Sequence, residues 1–187
     1  MILEAAAQVL EAGELAGFTT NAVAERAGVS IGTLYQYFAD KGAVLRALAE
    51  REMRLAIAQV AKALHGDDAL SMEERARAVV RAIVNAFHGR QRARKAVVQA
   101  VLAQGMAIET IGPVAAFIAE AGATPQHGAP ALNHEQRFVL SRALMGTIRA
   151  AVLEEQPFFR SRAFEDELVR LILAYLGAVT LSSTAPR

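Results

Sequence analysis

The chain has 187 residues, 53% of them hydrophobic and 21% charged, so a packed core is expected and disorder over most of its length is excluded. Forty alanines stand against 13 glycines and 5 prolines, with all prolines at or beyond Pro113. Alanine loses no side-chain entropy in a helix and proline breaks one, so an all-α fold is expected; a formal net charge of +1 leaves any polyanionic partner to be argued locally.

In chain order, Ile2, Leu3, Ala6, Val9 and Leu10 make one apolar stripe at helical spacing, and Gly13 and Gly17 bracket the end of that first helix. Thr19-Thr20 offers hydroxyls to the free N–H groups of a short second helix over 21–27, and Gly28 suits its left-handed C-terminal position. Ser30 caps a third short helix reaching about Phe38, and Asp40 caps a fourth that runs from Lys41 to about Leu64. After His65-Gly66-Asp67-Asp68, Ser71 with Glu73 and Glu74 opens a fifth helix that ends near residues 87–89. A sixth covers about 92–108, Gly112-Pro113 sets off a short seventh over 114–121, and residues 122–130 read as a loop. Helices over about 133–154 and 162–181 complete the chain, with 182–187 expected as a frayed tail. Two parts follow: short helices with tight turns in 1–46, and longer amphipathic helices in 47–187.

The stretch from Thr19 to Phe38 has the grammar of a helix-turn-helix. Small Ala24 lets two helices approach, Gly28 makes the turn, and Val29 and Leu34 fill the wedge between them. The second of these helices turns Ile31, Thr33, Gln36 and Tyr37 outward, groups that suit base edges, phosphates and a thymine methyl. Gly32 permits close approach of backbone. Tyr35 and Tyr37 lie on adjacent faces of one short helix, so both cannot be core.

In Ile2-Leu3-Glu4-Ala5-Ala6, Gly17-Phe18-Thr19-Thr20, Val23-Ala24-Glu25-Arg26-Ala27-Gly28-Val29-Ser30, Gly32-Thr33-Leu34-Tyr35-Gln36-Tyr37-Phe38 and Lys41, the chain resembles the TetR (tetracycline-repressor) family of bacterial transcription regulators. A weaker similarity over 164–176 looks like the family's final helix. The resemblance implies a helix-turn-helix DNA-binding domain in 1–46 and a ligand-binding and dimerisation domain in 47–187. It implies phosphate contacts by Thr20, Asn21 and Lys41, a groove-facing set of Ile31, Gly32, Thr33 and Gln36, and Tyr35 and Tyr37 reaching backbone or base edges. Val29, Leu34 and Phe38 would be structural. Basic residues usually precede the family's first helix. Here the chain begins almost inside that helix, and residues 1–50 carry three basic side chains (Arg26, Lys41, Arg46) against six acidic ones, so a shortened start is expected.

Between the later helices, the resemblance implies a pocket lined by Phe87, Val98, Leu102, Met106, Phe117, Leu144 and Ile148, with His88, Gln99, Gln104 and Arg149 as polar contacts. Such a lining suits a small, largely apolar effector. Val139, Ala143, Gly146 and Ala150 form a small-residue stripe that lets another helix come close, and Leu168, Leu171, Ile172 and Tyr175 form an apolar one. An intramolecular core pair would explain both; the resemblance implies a homodimer interface built from them.

Other signals are bland. Arg90, Arg92, Arg94 and Lys95 read as solvated charge at a helix entrance. His65, His88, His127 and His134 show no ligand spacing, and HExxH, GxxxxGK[ST] and GxGxxG patterns are absent, so no catalysis, metal or cofactor is expected. Without cysteine there is no disulfide framework, which suits a reducing cytoplasm. The opening Met1-Ile2-Leu3-Glu4 is unlike a signal peptide, and the longest apolar run, 171–181, is short of the roughly 20 residues a bilayer span needs, so no membrane partner is expected. The expectation is a regulator, most simply a repressor, released from a pseudo-palindromic double-stranded operator by its effector. The alternative is a helical small-molecule-binding or protein-interaction module without DNA binding.

Overall fold

The computed structural model describes residues 1–13, 15–66, 69–86, 91–103, 115–120 and 129–184. Among them no β-strand forms. The helices are α1 (Ile2–Gly13), α2 (Thr20–Ala27), α3 (Ile31–Tyr37), α4 (Lys41–Leu64), α5 (Met72–Ala86), α6 (Gln91–Ala103), a helical stretch over 115–120 (α7), α8 (His134–Leu153) and α9 (Arg162–Thr184). The chain divides into two compact units interleaved in sequence, Met1–Leu55 with Phe87–Thr110, and Ala56–Ala86 with Ile111–Arg187. The functional division expected at residue 46 falls inside α4 and within the first unit.

The core of the first unit gathers Ala5, Ala6, Ala7 and Leu10 of α1, Phe18, Val23 and Ala24, Leu34, the Val44, Leu45 and Leu48 edge of α4, and Ala93, Ala96, Val97 and Ala100 of α6. Small residues dominate where α1 meets α2 and α6, which lets those helices approach closely. Polar contacts fix the same arrangement. The Glu11 carboxylate accepts from the backbone N–H of Ala93 at 3.0 Å, in the first turn of α6, where the helix dipole favours an anion. Glu4 pairs with Arg51 at 3.4 Å, and Glu52 with Arg94 at 3.1 Å. Arg94, expected as solvated charge, is therefore held in an ion pair.

In the second unit α5 and α8 both pack against α9. The buried face of α5 reads Arg75, Ala76, Val79, Val80, Ile83 and Val84, an apolar stripe with one cation in it. Ser71 and Glu74 cap this helix reciprocally: the Ser71 hydroxyl accepts from Glu74 N–H, and the Glu74 carboxylate accepts from Ser71 N–H and Oγ–H at 2.9 and 2.6 Å. Those hydrogen bonds hold the Glu74 carboxyl below its ordinary value. Asn133 and Gln136 form the same box at the start of α8. Beside the apolar seam, Arg77 pairs with both Asp166 and Glu73, and Arg81 with Glu165 at 3.0 Å. The guanidinium of Arg77 keeps the Asp166 carboxyl below the usual range, and the acids in turn raise Arg77.

The tail expectation needs correction over 182–184, since α9 runs on through Ser182 and Ser183 to Thr184, while 185–187 lie outside the described residues. No glycine or proline interrupts these residues, and Thr180 Oγ1 donates to the Leu176 carbonyl at 3.0 Å, so its hydroxyl is satisfied within the helix. The expected continuation of α6 past Ala103 and the loop over 122–128 lie outside the described residues. Among the described residues no helix is long and apolar enough to cross a membrane.

Candidate nucleic-acid interface and an apolar cavity

Local chemistry builds the helix-turn-helix residue by residue. Thr19 adopts an extended backbone and its hydroxyl accepts from Ala22 N–H at 3.1 Å, which starts α2. Gly28 stops it in the left-handed region at φ 67°, while its own N–H and that of Val29 close onto carbonyls of the last turn. Two residues later the Ser30 hydroxyl accepts from Thr33 N–H at 3.0 Å and starts α3. Asp40 Oδ1 then accepts from Ala43 N–H at 2.7 Å and opens α4. The turn is short because the left-handed backbone of Gly28 ends α2 and the Ser30 side chain starts α3 two residues later.

This frame fixes α3 from behind and leaves it bare in front. Leu34 is fully buried against Val23 and Ala24, whereas Ile31, Gly32 and Gln36 are exposed, Tyr35 is 51% exposed and Tyr37 71%. Asn21 and Lys41 are exposed and Thr20 and Thr33 half-buried. Thr20 Oγ1 and Tyr35 Oη lie 3.3 Å apart, tying the start of α2 to the middle of α3, and Thr33 Oγ1 lies 2.8 Å from Ser30 Oγ. Of the residues expected to contact phosphate, Thr20 thus lies against the helix expected to face the groove. Val29 and Phe38 are half-buried, as supporting residues. Arg26 donates from Nε to Gln8 Oε1 at 2.8 Å, so one of the few cations here is committed to α1.

On α8 the expected stripe is divided by exposure. Val139 is 50% exposed, with Ala143, Gly146 and Ala150 half-buried, and a Cβ added at Gly146 would meet nothing within 4 Å. On α9, Leu171 is exposed and Tyr175 half-buried. Leu168 and Ile172, expected on the same face, are instead buried within the protomer. A stripe of apolar residues spans a wide arc of a helix, and the arc carrying these two packs inward in a unit where α5 and α8 both meet α9. Phe138, which spacing did not single out, is exposed with the Arg142 guanidinium 5.4 Å from its ring centre.

The second unit holds a cavity of about 140 Å³. Its described lining draws on Leu64 at the end of α4, Met72, Arg75, Ala76 and Val79 of α5, Ile118 and Ala119 of α7, Leu132, Arg137, Leu140, Ser141 and Leu144 of α8 and the segment before it, and Ile172 and Leu176 of α9. Of the residues expected to line a pocket, Leu144 is among these. Ile148 and Val98 are buried elsewhere, Val98 and Gln99 being on α6 in the other unit with Gln99 exposed, and Phe117 and Arg149 are half-buried. Phe87, His88, Gln104 and Met106 lie outside the described residues, as does the Leu102 side chain. Arg75 and Arg137 were missed. The available signal was Arg75 in line with Met72 and Val79 on the apolar face of α5.

Residues 2–48 match the model of the bacterial regulatory proteins of the tetR family. None of the curated proteins matches the chain. Among solved structures, BioQ with its natural double-stranded DNA operator is 22% identical, with 94% of this chain and 95% of that one covered at a TM-score of 0.62. The transcriptional regulator FadR from Bacillus subtilis, in complex with stearoyl-CoA, is 18% identical over 91% and 95% of the two chains at 0.69. The TetR-family regulator PfmR from Thermus thermophilus is 17% identical over 90% and 94% at 0.58. At these identities the shared property is the fold.

Proposed function

We propose that this chain, a member of the tetR family of bacterial regulatory proteins through its N-terminal helices, is a DNA-binding transcriptional regulator acting as a homodimer. The observation that carries the reading is the two-sidedness of α3, anchored by fully buried Leu34 and bare at Ile31, Gly32, Gln36 and Tyr37. In this reading residues 1–46 hold DNA. Thr20, Asn21 and Lys41 contact phosphate and set register, while Ile31, Gly32, Thr33, Tyr35, Gln36 and Tyr37 address the major groove. Residues 47–187 hold the effector and the second protomer, whose contact uses the open α8 face around Val139 and Gly146 with Leu171 and Tyr175 of α9. Pairing the chains presents two α3 helices to half-sites roughly 34–36 Å apart.

A small, largely apolar effector in the second unit favours a conformation in which α4 moves and the operator is released, which makes the protein a repressor. Coupling of this kind is typically about 1–3 kcal/mol and reciprocal, so operator DNA weakens effector binding by the same factor. The BioQ complex with its operator supports the DNA reading, and the FadR complex with stearoyl-CoA supports an effector with an apolar body. No enzymatic step is invoked, and the site of action is cytoplasmic chromosomal DNA.

The test is a titration of the DNA upstream of the protein's own gene. Tyr37→Ala is expected to weaken binding by at least about tenfold, the discrimination of one good base contact, while the oligomeric state stays the same. Unchanged affinity overturns the assignment of α3. A second reading, a helical module without DNA binding, is favoured by the acidic excess in residues 1–50. It is supported if the wild-type chain binds no DNA at any ionic strength.

A further inference from the structure

We infer that the cavity of the second unit is built for an anion on an apolar body, and that its occupant is a small lipophilic carboxylic acid. The inference rests on the effector-binding reading above and gives the effector a chemical class.

The described lining is aliphatic except for Ser141, Arg75 and Arg137, and it contains no carboxylate. Ser141 donates its hydroxyl to the Phe138 carbonyl at 3.1 Å, so it retains only acceptor capacity. Both remaining polar groups are cations that cannot deprotonate. Arg75 is 7% exposed, and one of its nitrogens donates to the Leu64 carbonyl at 2.6 Å, at the C-terminal end of α4, where a cation suits the helix dipole. Structure alone therefore gives Arg75 a role in addition to facing the cavity.

Arg137 has no such account. It lies within the first turns of α8, the end at which the helix dipole disfavours a cation. Its acidic neighbour is Glu120, at 3.9 Å with a side chain that is largely solvent-exposed. Its Nε is buried and makes no hydrogen bond to the described residues. A buried guanidinium donor in apolar surroundings is disfavoured unless an acceptor arrives. A carboxylate supplies acceptors in the planar geometry that matches a guanidinium, and an anion there is attracted by Arg75 as well.

Size sets the apolar part. A volume of about 140 Å³ is close to the roughly 150 Å³ that holds one benzene ring in an apolar protein cavity. The fit is a single ring or a short alkyl chain.

The experiment is calorimetric titration of the full chain with benzoate and octanoate, each paired with its neutral counterpart, benzyl alcohol and octanol. Saturable binding of at least one acid is expected, with its alcohol at least about tenfold weaker, the value of one charge-assisted contact. Arg137→Gln is expected to reduce the acid's advantage over its alcohol several-fold, the remainder being left to Arg75, while an unchanged helical circular dichroism spectrum reports that the variant is folded. Equal binding of acids and alcohols by the wild-type chain overturns the inference, as does no binding of either acid, or an acid preference that Arg137→Gln leaves undiminished. If that variant does not fold, the acid–alcohol comparison on the wild-type chain decides. Failure of the regulator reading is separate: it shows as a wild-type chain that binds no DNA, whatever the acids do.

Discussion

Gly28 and Gly32 are four positions apart and identical in kind, yet the structure asks different things of them. Gly28 sits at φ 67°, where a side chain is strained, and it ends α2. Gly28→Ala is expected to cost about 1 kcal/mol of stability, measured by urea unfolding. At Gly32 a Cβ would meet only Ser30 Oγ at 3.7 Å, an ordinary contact. The fold does not require glycine there, so Gly32→Ala is expected to keep or raise the melting temperature while weakening operator binding, as follows if backbone approaches DNA at that point. A large loss of stability in Gly32→Ala would place the reason for glycine inside the protein instead. The turn role of Gly28 was legible in the sequence from the caps on either side. The freedom around Gly32 was not, because it depends on what the fold leaves empty.

Helix boundaries were legible wherever a cap states them. Thr19, Ser30, Asp40 and Ser71 act as the sequence predicts, whereas the cap at Asn133 was not singled out from the sequence. Which face of a helix meets which neighbour was less legible. Leu168 and Ile172 share a stripe with Leu171 and Tyr175, and only packing reveals that the first two turn inward. Arg75 was hidden for a related reason, since composition sends arginine outward. Ion pairs across α5 and α9 were equally unreadable, because Arg77 and Asp166 are far apart in sequence. Their pH signature follows from sign. Asp166 is held below its unfolded value of about 3.9, so its pairing contributes stability above that value, lost as pH falls through the lower folded value. Asp166→Asn is expected to lower the melting temperature near neutral pH by a small amount, as suits a partly exposed pair, and to flatten the decline on acidification. A decline as steep as that of the wild type would assign the acid sensitivity to other carboxylates.

At the scale of the molecule, the account needs two chains. Val139 is half exposed and Gly146 faces open space on the same side of α8, so a charge at that face disturbs assembly rather than the core. Val139→Glu is expected to shift the chain toward monomer in light scattering with helicity retained, and to weaken operator binding by roughly 10²–10⁴, the usual loss when two linked contacts become one. The cavity was the least legible feature, since a pocket is a gap between helices and not a pattern along one. The central claim is that α3 meets DNA twice through a twofold pair. Fluorescence anisotropy of a labelled duplex from the gene's own upstream region, titrated at several salt concentrations, tests it most directly. Saturation at two protomers per duplex, with affinity falling as salt rises, is the expected result. Saturation at one protomer, or no sequence-selective binding at low salt, would contradict it.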